Sequence, residues 1–357
     1  MLGAACALVS CGNAGAQKQD GGPGIDSRPT VDATPTIDAL AADRHADRSV
    51  DLRRDGPPEF KIVDFPVPTA DSMPIGIAPG SDGNVWFTEN YGNNIGRVTP
   101  ADVITEFAVP TAESELGDCA LGADGNVWFS EGVGNIGRIT PTGTITEFPL
   151  PNAGTRPGAI TRGSDGNIWF AETAANRIGR ITPAGAISEF PADAPWYLTA
   201  GPEGDIWFTQ VPVADSGGFG TRIVAKMTTT GTVTQFPSTI ADSSPMTITT
   251  GADGNLWFVE PTFLFSVGRM TPTGEITEFP DVTQGISAFA ITTGPDGNVW
   301  YSVGEMYGSL GRVTPSGQVT EYPMQTQWGL VYQMCTGPDG NIWFAENGAN
   351  KVGYIVP

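Results

Sequence analysis

Asp-Gly-Asn-Val-Trp-Phe, at Asp82–Phe87, is the stretch on which the fold of this 357-residue chain depends. The pattern returns six more times with small changes, and each copy has a tryptophan at its centre. The tryptophans follow one another at steps of 42, 41, 38, 50, 43 and 43 residues: Trp86, Trp128, Trp169, Trp207, Trp257, Trp300 and Trp343. A period of this length is typical of proteins assembled from similar supersecondary units.

Each repeat contains four short runs of strand length. In the third repeat these runs are Gly158–Thr161, Asn167–Glu172, Arg177–Thr182 and Ala186–Pro191. They are rich in β-branched and aromatic residues, with Gly, Pro and Asn between them, and none has a helical period. Asp-Gly between the first two runs is a strong signal for a two-residue hairpin. Four antiparallel strands per repeat predict an all-β, seven-bladed β-propeller.

The two ends of the chain predict how the ring closes. A fourth-strand motif of the type Ile-Thr-Glu-Phe-Pro follows the first six repeats, and the last repeat stops after its third strand at Val352–Val356. The missing copy lies at the front, as Ile62–Pro66. We therefore expect this N-terminal strand to complete the last blade, which removes open sheet edges. The seven equivalent tryptophans are expected to be buried between blades rather than to bind a ligand.

The chain before the propeller predicts an export segment and a tether. Residues 1–11 resemble the end of a bacterial secretion signal, and Leu8–Cys11 resembles a lipobox, which implies a lipid on Cys11. Residues 12–58 are rich in Asp, Ala, Pro and Thr and predict a disordered tether. The propeller is expected to span residues 59–357, to be monomeric, and to lie in the bacterial cell envelope or outside the cell. Contact with the membrane would be through the lipid alone.

The charge of the chain restricts its possible partners, and its cysteines indicate buried thiols. The net charge is −21, and residues 59–357 carry 31 acidic against 12 basic side chains. Such a surface excludes nucleic acid as a partner, because nucleic-acid binding needs a basic footprint. The charge favours either solubility alone or an attraction for cations. Cys119 and Cys335 fall on first strands of different blades, and we expect buried free thiols.

Acidic residues recur just after the second strand. The position is glutamate in five blades and Gln210 or Val303 in the other two: Glu89, Glu131, Glu172, Glu260 and Glu346. If these carboxylates crowd together near the axis, they could hold Mg²⁺ or Ca²⁺. The alternative, which we favour for most of them, is that each glutamate pairs locally, for example with the arginine of the following Ile-Gly-Arg: Arg97, Arg138, Arg180 and Arg269.

The residue that opens each first strand changes from small to aromatic along the chain: Ile75, Gly117, Gly158, Trp196, Met246, Phe289 and Tyr332. Trp328 lies just before the last of these, and Val211–Gly220 is an insertion in the fourth repeat. Trp196, Met246, Phe289, Trp328 and Tyr332 therefore predict a site for a small molecule, a peptide or a protein at the mouth of the propeller. An equally favoured alternative is a channel plugged by ordinary core residues.

The repeated Asp-Gly-Asn-Val-Trp-Phe-Thr-Glu, Ile-Gly-Arg-Val-Thr-Pro and Ile-Thr-Glu-Phe motifs resemble the streptogramin B lyase (virginiamycin B lyase) family over the whole propeller. The resemblance implies a seven-bladed propeller that opens cyclic depsipeptide antibiotics by Mg²⁺-dependent elimination. The family's two histidines align with Phe289 and Tyr332, and a glutamate before the second aligns with Leu330. Glu346 keeps a carboxylate at the family's last metal position. The only histidine of this chain, His45, precedes the propeller.

Three functions remain open from the sequence. The leading hypothesis is a ligand- or partner-binding module that uses the acidic and aromatic face without catalysis. The second is a divergent Mg²⁺-dependent carbon–oxygen lyase in which Tyr332 and Glu346 carry the chemistry, although a phenol is a poor base at neutral pH. The third is a structural scaffold.

Overall fold

The computed structural model describes residues 60–152, 154–211, 223–237, 245–260, 266–280, 289–304, 307–327 and 329–357. Within these ranges the chain forms seven four-stranded antiparallel sheets and two short 3-10 turns, Thr173–Ala175 and Asn347–Ala349. No helix in this part of the chain is long and apolar enough to cross a membrane. The all-β, seven-bladed propeller is thus confirmed. The predictions for residues 1–11, for Cys11 and for residues 12–58 concern a part of the chain outside the described residues.

The strands follow one another in the order of the repeats. They are β1 (Ile62–Pro66); β2 (Pro74–Pro79), β3 (Val85–Glu89), β4 (Asn94–Val98) and β5 (Ile104–Ala108) in blade 1; β6 (Leu116–Leu121), β7 (Val127–Glu131), β8 (Asn135–Ile139) and β9 (Ile145–Pro149) in blade 2; β10 (Ile160–Arg162), β11 (Ile168–Glu172), β12 (Arg177–Ile181) and β13 (Ile187–Pro191) in blade 3; β14 (Pro195–Ala200), β15 (Ile206–Gln210), β16 (Ile223–Met227) and β17 (Val233–Phe236) in blade 4; β18 (Ile248–Thr250), β19 (Leu256–Glu260), β20 (Ser266–Met270) and β21 (Ile276–Pro280) in blade 5; β22 (Ile291–Thr293), β23 (Val299–Val303), β24 (Tyr307–Val313) and β25 (Val319–Gln327) in blade 6; and β26 (Val331–Thr336), β27 (Ile342–Glu346) and β28 (Lys351–Ile355) in blade 7.

The N-terminal strand closes the ring as the sequence predicts. β1 pairs antiparallel with β28, from Ile62 opposite Ile355 to Pro66 opposite Lys351, and so becomes the outermost strand of blade 7. Both termini of the propeller therefore lie in one sheet, and unfolding of either terminus opens the ring.

The repeated tryptophans are buried between blades, which confirms their predicted role. All seven are at most 3% exposed. Trp169 of blade 3, for example, packs in one cluster with Leu198, Ile206 and Phe208 of blade 4. Its ring also stacks on Phe190, with the ring centroids 5.5 Å apart. The predicted thiols are confirmed as well, since Cys119 and Cys335 are both free and buried.

The Asp-Gly turns are longer than the two-residue hairpin that the sequence predicts. In blade 1 the Gly80 N–H donates to the Asn84 carbonyl at 2.8 Å, and Gly83 has a φ of +79°, which favours glycine. The Asp82 carboxylate accepts hydrogen bonds from the Asn84 N–H at 3.2 Å, within the turn, and from the Trp86 indole N–H at 3.2 Å. The aspartate therefore holds the tryptophan in place as well as forming the turn.

Candidate ligand-binding site

The mouth of the propeller is formed where the innermost strands are irregular. In four blades the pairing between first and second strand shifts register, which marks a β-bulge: between Pro74 and Ile77, Leu116 and Cys119, Pro195 and Leu198, and Val331 and Gln333. Bulges redirect the side chains that they contain. Six of the residues between these paired positions line the mouth: Ile75, Gly117, Asp118, Trp196, Tyr197 and Tyr332.

Hydroxyl groups of the second strands hold these bulges and link adjacent blades. The Thr209 Oγ1 of β15 accepts a hydrogen bond from the Tyr197 N–H at 3.2 Å and donates to the Met246 carbonyl of the next blade at 2.7 Å. In blade 1 the Thr88 Oγ1 accepts from the Gly76 N–H and donates to the Gly117 carbonyl in the same way. The shape of the mouth is therefore set by bonds between blades.

A cavity of about 180 Å³ lies at this mouth. Aromatic side chains form part of its wall, and small residues from blades 2 and 3 form another part: Ile75, Gly117, Asp118, Gly158, Ala159, Thr173, Trp196, Tyr197, Tyr332 and Gln333. Trp196 is 39% exposed, which is unusual for a tryptophan in this chain. A Cβ added at Gly158 would meet no atom within 4 Å, so the space beside this glycine is open.

Asp118 is the one titratable carboxylate among the described residues that line the mouth cavity. Its Oδ1 accepts hydrogen bonds from the Cys119 N–H at 2.7 Å and the Gln333 Nε2 at 2.9 Å, and its Oδ2 accepts from the Ile160 N–H at 3.2 Å. Burial raises the pKa of this carboxyl to about 6, and the three donors oppose that rise. A carboxylate of this kind is partly protonated near neutral pH.

A second cavity of about 360 Å³ continues along the axis and is lined by all seven innermost strands. Three residues line both cavities and form the boundary between them: Asp118, Tyr197 and Gln333. Burial, together with the charge of Asp118, raises the pKa of the Tyr197 phenol, so this group stays protonated. Two cavities therefore lie along the axis. The sequence predicted either a binding site at the mouth or a plugged channel, and neither prediction included a second cavity.

The predicted aromatic residues are brought together only in part. Trp196 and Tyr332 line the mouth cavity. Phe289 stacks on Tyr332 with ring centroids 5.1 Å apart and planes inclined by 4°, so it supports the wall from behind. Met246 does not line the mouth cavity and instead offers its carbonyl to Thr209. Trp328 and most of the predicted insertion, residues 212–220, lie outside the described residues.

The five glutamates of the second strands are buried one to a blade and do not line either cavity. Each lies beside a carboxylate of the fourth strand in its own blade: Glu89 with Glu106, Glu131 with Glu147, Glu172 with Glu189, Glu260 with Glu278, and Glu346 with Asp64. Burial raises the pKa of Glu89, Glu131, Glu172 and Glu346 to about 7, and the neighbouring carboxylate adds to the rise. Each of these four glutamates therefore holds a proton at a higher pH than an ordinary glutamate does.

The expected ion pairs between these glutamates and the Ile-Gly-Arg arginines are wrong. Arg97 lies opposite Trp86 in the β3–β4 pairing, not opposite Glu89, and its guanidinium is 5.4 Å from the centre of the indole. It also donates to the Pro141 carbonyl of the next blade at 3.1 Å. The strand register places the arginine at the opposite end of the blade from the glutamate, and the same arrangement recurs at Arg138, Arg180 and Arg269.

The described residues do not fit the metal that the family resemblance implies. No group of three or more His, Cys, Asp and Glu side chains that could hold a metal ion occurs among them. Glu346 faces Asp64 inside blade 7, and the Lys351 ammonium beside it lies 2.9 Å from the Asp64 Oδ1. A cation is therefore already present there. The five glutamates that the sequence nominated for Mg²⁺ or Ca²⁺ are not brought together.

Sequence reasoning missed Asp118 and the carboxylate pairs, although both leave a trace in the repeats. Blade 4 has Gln210 where the other pairs have a glutamate, and the fourth-strand position opposite it is also glutamine, Gln235. The Gln235 Nε2 donates to the Gln210 Oε1 at 2.9 Å. Asp118 is likewise the only acid at its position in the seven repeats: Gly76, Asp118, Ala159, Tyr197, Thr247, Ala290 and Gln333.

The sequence profile of the virginiamycin B lyase family matches residues 42–219 and 192–357, which together span most of the chain. The chain belongs to the virginiamycin B lyase family. A selenomethionine-substituted virginiamycin B lyase from Staphylococcus aureus is 35% identical, with a TM-score of 0.75, and the match covers 84% of this chain and 100% of that one. A streptogramin B lyase structure is 32% identical, with a TM-score of 0.75 over 83% and 97% of the two chains.

A third similar structure is a catalytically inactive histidine-to-alanine variant of the S. aureus virginiamycin B lyase with quinupristin. It is 34% identical, with a TM-score of 0.75, and the match covers 84% of this chain and 100% of that one. In the present chain, Phe289 and Tyr332, at the positions that the sequence resemblance aligns with the family's histidines, form an aromatic stack. Its single histidine, His45, precedes the described residues.

Proposed function

We propose that this member of the virginiamycin B lyase family is a binding module that holds a group of a small molecule or peptide in the mouth cavity, without the histidine-dependent elimination of its relatives. The observation that carries the proposal is the wall of that cavity, where bulges direct Trp196, Tyr197 and Tyr332 toward one space. Aromatic walls with few polar groups suit binding. A cavity of about 180 Å³ has room for a side group of a cyclic depsipeptide.

The test uses the full chain and quinupristin, with Mg²⁺ present. We expect binding in ligand-observed NMR, and intact antibiotic after long incubation at high protein concentration. Elimination would leave the mass unchanged but open the ring, so chromatography and fragmentation distinguish the two outcomes. A linear product would overturn the claim that the chain lacks this activity.

A matched variant locates the binding. Gly158→Leu places a side chain into open space at the cavity wall, and no contact opposes it. We expect an unchanged fold and loss of quinupristin binding. Gly254→Leu is not a suitable control, because Gly254 has a φ of +75° and any side chain there is strained. Glu275→Gln, at the exposed turn between β20 and β21, is the better control and should bind as the parent does.

A divergent lyase is the second candidate, and one observation favours it. Asp118 lies in the cavity with a pKa raised to about 6 by burial, which suits a general base near neutral pH. In such an elimination the Asp118 carboxylate would take a proton from the carbon adjacent to the one that carries the ester oxygen, the C–H electrons would form a C=C bond between these two carbons, and the alkyl C–O bond would break to release a carboxylate. A ring-opened product that disappears in Asp118→Asn would support this candidate over the first.

The location of the protein is a further part of the proposal and rests on the sequence. Residues 1–11 support export, and Cys11 supports a lipid anchor in the cell envelope. We expect the parent protein to fractionate with membranes and Cys11→Ala to be released. Unchanged fractionation of the variant would remove the anchor from the proposal.

A further inference from the structure

The mouth cavity contains a negative charge that no neighbouring positive side chain balances. No lysine, arginine or histidine is among the described residues that line it, and Asp118 is bonded only to amide N–H groups. A buried carboxylate without a counter-ion is costly to ionise. The direction of its pKa, raised by burial, agrees with this reading. A positively charged ligand group would remove that cost.

The hydrogen-bonding capacity of Asp118 is not used up. A carboxylate offers about four lone-pair positions, and this one accepts three hydrogen bonds. Two of the three are made by Oδ1, and Oδ2 accepts only the 3.2 Å bond from Ile160. Oδ2 can therefore accept a further donor from a ligand, or lie beside a charged group that has no donor.

The aromatic rings in the same wall favour the same sign of charge. Trp196, Tyr197 and Tyr332 line the cavity together with Asp118, and the Trp196 and Tyr197 rings meet edge to face with centroids 6.4 Å apart. The faces of such rings attract cations, most of all where water is excluded. A carboxylate and several aromatic rings around one small space form a recognised arrangement for ammonium groups.

The loops around the mouth add a weaker contribution. Asp71, Glu113 and Asp193 are exposed on the connections that lead into the first strands of blades 1, 2 and 4. Arg156, on the connection into blade 3, is paired with Glu115. Exposed acids at a cavity mouth raise the local concentration of cations, and salt screens the effect.

From this arrangement we infer that the mouth cavity recognises a cationic amine: the Asp118 carboxylate balances the charge of an alkylammonium group while Trp196, Tyr197 and Tyr332 contact its carbon atoms. The inference rests on the proposed binding function and specifies the ligand class. It assigns Asp118 a role in ligand binding, in addition to its bond with Gln333. An alkylammonium group is small enough for a space of about 180 Å³.

The experiment compares two probes of equal shape. Choline carries a trimethylammonium group, and 3,3-dimethylbutan-1-ol is its neutral carbon isostere. Binding of each to the full chain is measured by ligand-observed NMR and calorimetry at about pH 8, where Asp118 is ionised. We expect choline to bind roughly tenfold more tightly or better. The preference should vanish in Asp118→Asn and persist in Glu275→Gln, which removes one negative charge at the exposed turn between β20 and β21, away from the mouth.

A second variant allows the same test if the first variant does not fold. If Asp118→Asn does not fold, Trp196→Leu replaces an exposed ring and should lower choline affinity while the fold is kept. Equal affinity for both probes would overturn the inference and leave the binding function intact. Quinupristin binding without any choline binding would do the same. If neither probe nor quinupristin binds, the proposed function fails together with the inference.

Discussion

The Asp118 carboxylate of blade 2 accepts a hydrogen bond of 2.9 Å from the Gln333 amide of blade 7, although 215 residues separate the two in sequence. The bond passes beside the innermost strand of blade 1, which contacts the first strands of both blades. It forms the boundary between the two axial cavities. A single bond between side chains thus ties the beginning of the ring to its end and shapes the candidate site.

Removal of the Gln333 amide donor should change both the pKa of Asp118 and the free energy of unfolding. Gln333→Leu leaves a buried carboxylate with one partner fewer, so we expect the pKa of Asp118 to rise above its present value of about 6. The free energy of unfolding should fall by about 1–3 kcal/mol. Carboxyl NMR titration and denaturant unfolding measure the two effects. Gln318→Leu, at an exposed turn, is the control and should stay within about 0.5 kcal/mol of the parent.

The buried carboxylate pairs predict that stability falls as the pH rises. Four glutamates have a pKa near 7 in the folded chain against an ordinary value of 4.5. Between these pH values the folded chain binds more protons than the unfolded chain. The stability that these glutamates contribute is therefore complete below pH 4.5 and is lost as the pH rises through 7. Denaturant unfolding at a series of pH values should show a decreasing free energy across this window.

A single substitution tests the origin of that slope. Glu131→Gln reproduces in blade 2 the glutamine found in blade 4, where Gln210 and Gln235 are hydrogen-bonded. We expect a smaller dependence on pH and, at about pH 8, a stability equal to or above that of the parent. Glu113→Gln removes an exposed carboxylate and should leave the slope as it is. An unchanged slope in Glu131→Gln would contradict the pairing argument.

The fourth tryptophan offers a route to a more stable protein. Trp207 is the one buried indole N–H of the seven without an acceptor among the described residues, because Glu203 stands where the other repeats have aspartate. Glu203→Asp should supply the missing bond and raise the free energy of unfolding by about 1 kcal/mol. Glu203→Gln is the control. It removes the ion pair between Glu203 and Lys226 but supplies no acceptor for the Trp207 indole N–H, so it should not stabilise the protein. Thermal unfolding followed by calorimetry decides between them.

The arginine over each tryptophan should contribute through both stacking and hydrogen bonding. The Arg180 guanidinium lies 5.4 Å from the centre of the Trp169 ring and donates to the Thr229 carbonyl of the next blade at 3.1 Å. Arg180→Leu should cost about 1–2 kcal/mol in unfolding experiments. Arg180→Lys should cost less, because Lys226 occupies the same place over Trp207 in blade 4. Equal costs would show that the positive charge over the ring is unimportant.

The fold could be predicted from sequence because its determinants repeat. Each unit shows its own turns, strands and central tryptophan, and the missing fourth strand at one end is matched by Ile62–Pro66 at the other. The strand bounds differ from the predicted ones by at most two residues in blade 3, where β10 begins at Ile160 instead of Gly158. Burial of the seven tryptophans and of the two free thiols follows from the same repetition.

The site could be predicted only in outline. Trp196 and Tyr332 were identified because they interrupt the repeat at the positions that open the first strands. The glutamates were recognised but assigned the wrong partners, because the partner of each depends on the register between strands. Glu89 and Arg97 are eight residues apart, yet antiparallel pairing places them at opposite ends of the blade, while Glu106 comes to lie beside Glu89.

The sequence by itself determined the number of blades, the closure of the ring and the burial of the tryptophans, since these depend on local patterns that each repeat contains in full. Only the tertiary structure decided what lies at the axis. There the bulges of separate blades meet, Asp118 reaches Gln333, and a carboxylate and three aromatic rings share one small space. Such contacts join residues that are distant along the chain, and their geometry depends on where the closed ring places each blade.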